Sequence, residues 1–465
     1  MKKNKILYIL LAFILLSSSC TNYLDLKPYG KTIPETAEEF SAFLHTTLNN
    51  IDLGLEDNII NSASSITSYA CYTDNLETSL MSGQAVLPIY VGTQINTLSQ
   101  NFARLYSQIK DCNVVIVEMK DSDRSTDEGK TVLGTAYAMR AICYLKLVKL
   151  FCEPYEKDNA INQLGVPLVT EFDMEAKIRR SDLETTMNLI ISDFNRAIEC
   201  NVTNEEYMFT ADVAKFYLAR TYFWKGDWTN SAKYAKEVLD KYPLVSGDVY
   251  KEMIQSKLSK KGNVLLKSYI YSGSGDIANQ SANTYINSNC PISKDFINLF
   301  TEKEKDIRYN FFFDSKRKTT KYVAFRLRSA EMCLTLAESY YQLKSNNEAL
   351  VYLNMLRQNR ISDYVPYTME NLPKLDESYL IKEDFNGEAL TPLLYSIMTE
   401  RQKEMFMEGD RWFELKRNGR PEFWSSRDGL KYITSEYLYT APIPMQETDL
   451  VEGFKQNPGY IVTNN

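Results

Sequence analysis

Two segments of this chain share one helical register, and that repetition constrains the fold more than any other feature. In 211–243, Leu218, Ala219 and Tyr222 recur at helical spacing. Gly226-Asp227-Trp228 then breaks the run, and Ala232, Ala235 and Leu239 resume it until Pro243. In 329–360, Leu336, Ala337, Tyr340 and Ala349 fall at equivalent offsets, with Lys344 in the place of Gly226. Small residues let two helices cross closely and aromatic residues fill the space beside them. A single helical pair cannot bury its apolar face, so such pairs must stack. Apolar residues also recur at three- and four-residue spacing through 102–119, 132–151, 182–200, 211–239, 325–360 and 392–417, and strong period-two alternation is scarce. The expected class is mainly α: a scaffold of stacked helical pairs, in which 132–151 with 182–200 supplies a further pair.

The first unit resembles the tetratricopeptide pattern, with Ser231 and Val238 standing where that pattern carries Ala. The polar stretches 62–96 and 267–291 break the helical pattern. The first includes Tyr72, Asp74, Asn75 and Tyr90. The second includes Tyr271 and Tyr285 among Asn and Ser residues and carries one charge, Asp276, in its interior. Both read as irregular loops, and long loops in a folded domain are usually functional. Tyr, Asn and Ser suit hydrogen bonding and stacking on a neutral polar ligand.

The N-terminus has a basic start (Lys2, Lys3, Lys5), an apolar run over 6–16 and Ser17-Ser18-Ser19-Cys20. This is the order of a secretory signal peptide. The run is too short for a spanning helix, which needs about 20 residues. The sequence before Cys20 resembles a bacterial lipobox, which makes Cys20 the expected lipidation site. Residues 1–19 are then a signal, 20–31 a tether, and 32–465 a single domain. Acyl chains add about 0.8 kcal/mol of membrane affinity per buried CH₂, so more than one chain anchors a protein stably.

The formal net charge is −7, and loss of the three N-terminal lysines takes it to about −10. That balance argues against nucleic acid, which requires a basic stripe. Apart from Cys20, the seven cysteines are irregularly spaced and contain no C-x-x-C, so buried free thiols are expected rather than a disulfide framework. With one histidine, His45, in the chain, histidine triads and histidine-ligated metals are not expected. Gly129-Lys130-Thr131 lacks the upstream Gly of a P-loop, since Arg124 occupies that position. Asp121, Asp123 and Ser125 lack the Gly and Glu of a calcium loop, since Thr126 and Val132 stand there.

Glu400, Glu404 and Glu408 share a helical face. Paired carboxylates can hydrolyse glycosides, and a spacing of four on a helix permits the necessary separation. Interleaved Arg401, Lys403 and Arg411 favour ion pairs, which hold carboxylates ionised; a general acid needs the opposite shift.

Eight motifs in order resemble the SusD/RagB family of outer-membrane lipoproteins. They are Tyr23-Leu24-Asp25-Leu26-Lys27-Pro28; Leu105-Tyr106 with Asn113; Arg140-Ala141-Ile142-Cys143-Tyr144; Gly165-Val166-Pro167-Leu168-Val169; the unit beginning at Ala211; Arg328-Ser329-Ala330-Glu331 with Arg357 and Arg360; Glu400-Arg401 with Glu408-Gly409-Asp410-Arg411-Trp412; and Gln456-Asn457-Pro458-Gly459-Tyr460. Phe102 stands where the family has Trp and Cys112 where it has Ala. The resemblance implies a helical-pair scaffold with ligand-binding loops and short strands on one side. It implies a surface protein that captures an oligosaccharide, or in some members a peptide. Such a protein passes its ligand to a TonB-dependent β-barrel transporter and performs no catalysis, with no cofactor. It also implies that the Glu400–Trp412 signature is scaffold and that ligand contacts come from the two loops. Tyr72, Asp74, Asn75, Tyr90, Tyr271 and Tyr285 are the expected contacts. All four Trp lie in or near scaffold motifs, so stacking is expected from Tyr. The rival readings are a glycoside hydrolase using Glu400 and Glu404, and a helical-repeat adaptor that holds another protein.

Overall fold

Side-chain caps set the helix starts. Thr36, Ser62, Thr126, Asp182, Thr210, Asp227 and Thr391 each accept a hydrogen bond from a backbone N–H of the first turn. The computed structural model describes residues 34–53, 59–77, 90–171, 179–257, 259–267, 274–427 and 430–460. Its principal elements, in chain order, are α1 (Ala37–Asp52), α2 (Ala63–Cys71), α3 (Val91–Glu118), α4 (Asp127–Phe151), β1 (Leu164–Pro167), β2 (Arg180–Asp182), α5 (Leu183–Glu199), α6 (Ala211–Lys225), α7 (Trp228–Lys241), α8 (Gly247–Gln255), β3 (Val264–Lys267), α9 (Ser274–Asn289), β4 (Arg326–Arg328), α10 (Ser329–Gln342), α11 (Asn346–Gln358), α12 (Pro392–Glu404), α13 (Arg411–Arg417), β5 (Phe423–Arg427) and β6 (Leu430–Thr434). The strands form three separate antiparallel pairs, β1–β2, β3–β4 and β5–β6. The class is mainly α, as the periodicity implies.

The helices stack by neighbours. α3 packs on α4, α4 on α5, α5 on α6, α6 on α7, α7 on α10, and α10 on α11 and α12. The two repeat units are alike in detail. Tyr222 of α6 lies parallel to Tyr234 of α7, with centroids 5.9 Å apart; Tyr340 of α10 lies parallel to Tyr352 of α11 at 5.6 Å. Gly226 turns the first unit at φ +73°, and a Cβ there would come within 2.6 Å of the Phe385 ring. Lys344 makes the equivalent turn at φ +62°, a conformation that disfavours L side chains. Ser231 is a structural gain rather than a defect. Its buried hydroxyl donates to the Ala219 carbonyl at 3.2 Å and accepts from the Ser339 hydroxyl at 3.3 Å, tying the first unit to the second.

Glu400 and Glu404 of α12 and Glu408 of its following turn are buried and ion-paired. Glu404 accepts from Arg360 through two 2.9 Å bonds, from Arg308 at 3.1 Å, and from Arg328. Glu400 meets Arg308 at 2.7 Å, Lys403 at 2.6 Å and Arg357 at 3.1 Å. Glu408 meets Lys321 at 2.6 Å and Arg328 at 3.0 Å. Burial alone would raise the Glu404 pKa, but the Arg360 and Arg328 charges overcome it and hold the carboxyl well below the usual range. Glu400 and Glu408 are lowered for the same kind of reason. Neither Glu400 nor Glu404 has the raised pKa of a general acid, so the hydrolase reading loses its proposed residues.

The loop reading of 62–96 and 267–291 is corrected. α2, the start of α3 and α9 lie inside those ranges. α9 has a polar composition but buries Ala282 and Ile286, one turn apart, with Cys290 a turn further on. Packing on one apolar stripe outweighs weak helix propensity there. Cys71 and Cys290 are hydrogen-bonded free thiols, Sγ to Sγ 3.9 Å. Among the described residues no helix is long and apolar enough to cross a membrane.

Glu404→Gln is expected to lower the unfolding free energy by about 3–5 kcal/mol in urea titrations, because it leaves three buried guanidinium groups short of negative charge. Lys344→Gly is expected to raise it by about 0.5–1 kcal/mol by relieving the left-handed turn. Because Glu400, Glu404 and Glu408 have lowered folded pKa values, with Asp410 down to about 2, their stabilisation is complete above the unfolded pKa. Stability measured against pH should therefore fall steadily on acidification below about pH 4.5.

Candidate ligand-binding face

The two polar stretches meet in space. α9 packs against α2. Beyond α2, Leu76 bridges to Ile292, the Glu77 amide donates to the Pro291 carbonyl at 2.8 Å, and the Ser293 amide donates to the Asn75 carbonyl at 2.9 Å. Arg317 closes the seam on Glu77 at 2.7 Å. The turn after α2 is thereby held beside the residues that follow α9.

This seam borders a cleft of about 150 Å³. Its polar walls are Asp74, Asp295, Asp376, Ser378 and Gln402, and Phe296, Leu299, Tyr379, Leu380 and the half-buried ring of Phe423 supply apolar surface. Gln402 is held from α12: its Nε2 donates to Asn75 Oδ1 at 2.8 Å, and its buried Oε1 has no partner. Asp295, Asp376 and Ser378 are exposed at the rim. The Ser378 hydroxyl and amide donate to Asp376, which lowers that carboxyl's pKa. The cleft is therefore rich in hydrogen-bond acceptors.

The β5–β6 hairpin stands at the edge of this cleft. Residues directly opposite across a strand pair share a face. Trp424 pairs with Ile433, and Ser425 with Tyr432. The Tyr432 face turns inward onto Tyr90, with ring centroids 5.7 Å apart. The opposite face is open: Trp424 is 55% exposed and Ile433 45% exposed, and the Lys431 ammonium lies 4.5 Å from the Trp424 ring centre.

The expected contact residues fall in different places. Tyr72 and Asn75 are corrected: both are buried, at 3% and 2% exposure. Tyr72 packs edge-on against Trp412 at 5.5 Å, and Asn75 is occupied by Gln402. Asp74 reaches the cleft, but its carboxylate accepts two bonds from Arg411, 2.8 Å from Nε and 2.6 Å from Nη2. Tyr90 precedes α3 at the hairpin, and its hydroxyl donates to the Ile433 carbonyl at 3.1 Å. Tyr285 is half-buried on α9 against the core. Cys20 and Tyr271 lie outside the described residues. The expectation that every Trp belongs to the scaffold is also corrected by Trp424. The alternation around Trp424 and Ile433 was the available signal, but the strands are only five residues long.

Two family profiles divide the chain between them. One, described as starch-binding associating with outer membrane, matches residues 22–223; the other, described as SusD family, matches residues 268–460. The chain belongs to the SusD family. A tetratricopeptide-repeat profile matches residues 213–244, the first repeat unit. The fold is similar to that of a SusD superfamily protein from Bacteroides thetaiotaomicron, with TM-score 0.69 and 20% identity over 91% of this chain and all of that one. It is also similar to a putative sugar binding protein from Bacteroides vulgatus, with TM-score 0.68 and 21% identity over 93% of this chain and all of that one. A laminarin-binding SusD-like protein aligns at TM-score 0.60 and 16% identity over 92% of this chain and all of that one. Comparison with curated protein sequences gives no match.

In this SusD-family chain the candidate cleft joins the two profile-matched parts. Asp74 comes from the first, and Asp295, Asp376, Gln402 and Phe423 from the second. The signature residue Trp412 is scaffold, as the resemblance implied: it is buried and stacks on Tyr439 at 4.5 Å. Asp74→Ala is expected to cost about 2–3 kcal/mol in urea titrations, because Arg411 is buried and would keep only Glu414 as a carboxylate partner. A loss below about 0.5 kcal/mol would return Asp74 to the ligand rather than to the scaffold.

Proposed function

We propose that this protein captures a neutral oligosaccharide at the cleft and hairpin and delivers it to a TonB-dependent β-barrel transporter, without catalysis. The observation that carries the reading is the acceptor-rich cleft walled by an aromatic ring. The exposed carboxylates of Asp295 and Asp376 accept hydrogen bonds, and sugar hydroxyls donate them. Phe423 in the cleft and Trp424 beside it offer flat apolar surfaces for sugar rings. Carboxylates at the rim disfavour uronic acids and sulfated sugars, which points to an uncharged ligand. Relatives described as sugar-binding and laminarin-binding support the class.

The surrounding roles follow the same reading. Cys20 carries the lipid that holds the protein at the outer membrane, facing outward, and the family description associates it with that membrane. No nucleic acid, metal or cofactor takes part. Affinity is modest, because the ligand must be released to the transporter. Tyr90 acts by bracing the hairpin through its bond to Ile433.

Purified protein mixed with a pool of neutral and acidic oligosaccharides and peptides should retain an intact neutral oligosaccharide, identified by mass spectrometry, with no new reducing ends. Retained peptides would change the nutrient class, and cleaved products would overturn the binding role. Trp424→Ala should weaken oligosaccharide binding about tenfold by calorimetry, equivalent to about 1.4 kcal/mol of stacking, with the thermal midpoint unchanged.

A further inference from the structure

Two cysteines far apart in the sequence meet at the seam beside the cleft. Cys71 is the last residue of α2 and lies just before Asp74. Cys290 directly follows α9, and its amide still donates to the Ile286 carbonyl at 2.8 Å. The Cys71 thiol donates to the Cys290 sulfur at 3.9 Å, across 219 residues of chain. Cys71 is half-buried and Cys290 is buried. Cys112, Cys143 and Cys333 are by contrast buried within α3, α4 and α10.

Two small thiols can pack together simply as apolar groups. The position of this pair argues for more. Just beyond it the backbone already joins the two segments, through the Glu77 amide on the Pro291 carbonyl and the Ser293 amide on the Asn75 carbonyl. The Arg317–Glu77 ion pair closes the same seam. Both sulfurs are therefore delivered to one place by contacts that do not involve them. Bonded sulfurs stand about 2 Å apart, so each has about 1 Å to travel, a movement on the scale of a side chain.

We propose that Cys71 and Cys290 are a disulfide-forming pair, and that their bond locks the wall of the cleft that carries Asp74 to the wall that carries Asp295. The oxidant is a low-molecular-weight disulfide. The half-buried Cys71 thiol loses its proton, and the thiolate attacks one sulfur of the oxidant. The oxidant's S–S bond breaks and releases a small thiolate, which takes up the proton. Cys290, deprotonated in turn, attacks the Cys71 sulfur of the mixed disulfide and releases the second small thiol. The protein loses two electrons and two protons, and the oxidant is reduced to two thiols. The hydrogen bond to Cys290, and after it burial, raise the Cys71 pKa well above the ordinary thiol value, which keeps thiolate scarce and the exchange slow. A disulfide restricts the unfolded chain more as the loop it closes lengthens, and this loop is long. Exposure at the cell surface, as proposed above, supplies the oxidising environment in which disulfides persist.

The test incubates purified, reduced protein with oxidised glutathione in mildly alkaline buffer for up to a day. Remaining thiols are alkylated, and tryptic peptides are read by mass spectrometry without reduction. The expected product is one cross-linked pair of peptides carrying Cys71 and Cys290, two hydrogens lighter than the separate thiol forms. Oxidation should raise the thermal midpoint by about 3–5 °C and slow hydrogen exchange at the Glu77 and Ser293 amides at least about threefold. Cys290→Ser should stop at a glutathione adduct on Cys71, with no rise in midpoint. If that variant fails to fold, the cross-link, midpoint and exchange of the unaltered protein carry the test. Alkylation of both cysteines after oxidation, a bond from Cys71 to another cysteine, or a cross-link that lowers the midpoint or leaves the seam amides unchanged would overturn the proposal. The exchange needs neither ligand nor membrane, so its failure leaves the oligosaccharide and surface readings standing.

Discussion

The buried charge network around Glu404 is the constraint on which the rest of the structure depends. One carboxylate gathers Arg308, Arg328 and Arg360 from three separate parts of the chain: the segment before α10, strand β4 and the end of α11. Taking so many charges out of water costs several kcal/mol per ion, and close pairing offsets that cost only if each partner is in place. Such a network contributes more to geometric definition than to net stability. It admits one arrangement of α11, α12 and β4, and penalises every neighbouring arrangement by a stranded charge.

The candidate cleft inherits its geometry from that helix. Two residues before Glu404, Gln402 leaves α12 to hold Asn75, and past the turn Arg411 holds Asp74. The turn after α2 is thus fastened from the scaffold side, while Pro291, Ser293 and Arg317 fasten it from the other. Tyr72 and Asn75 are consumed in this fastening, which leaves acceptors and aromatic faces from later in the chain to meet a ligand.

Much of the scaffold was legible in the sequence because helical repeats write their packing locally. Tyr222 and Tyr340 sit at equivalent offsets and make equivalent stacks, and Gly226 turns where the pattern requires. The ion pairing of Glu400, Glu404 and Glu408 was legible in part. Their shared face and the adjacent basic residues indicated salt bridges. Arg308, Arg328 and Arg360, the main partners of Glu404, lie 44 to 96 residues away and follow no spacing rule. The site was less legible. Polar composition drew attention to 62–96 and 267–291, and those stretches do adjoin, but their helices were hidden because burial of Ala282 and Ile286 outweighs local propensity. Trp424 was missed because two five-residue strands carry little periodic signal, and which face is wet depends on what Tyr90 and Tyr432 cover.

The periodicity, the turn residues and the order of motifs were enough to establish a mainly α scaffold of the SusD family, since each rests on contacts within a few dozen residues. The placement of acceptors around the cleft, the burial of Tyr72 and Asn75 and the exposure of Trp424 follow from contacts across hundreds of residues. Such contacts sum many small burial and pairing energies over the assembled chain, and no local pattern records that sum.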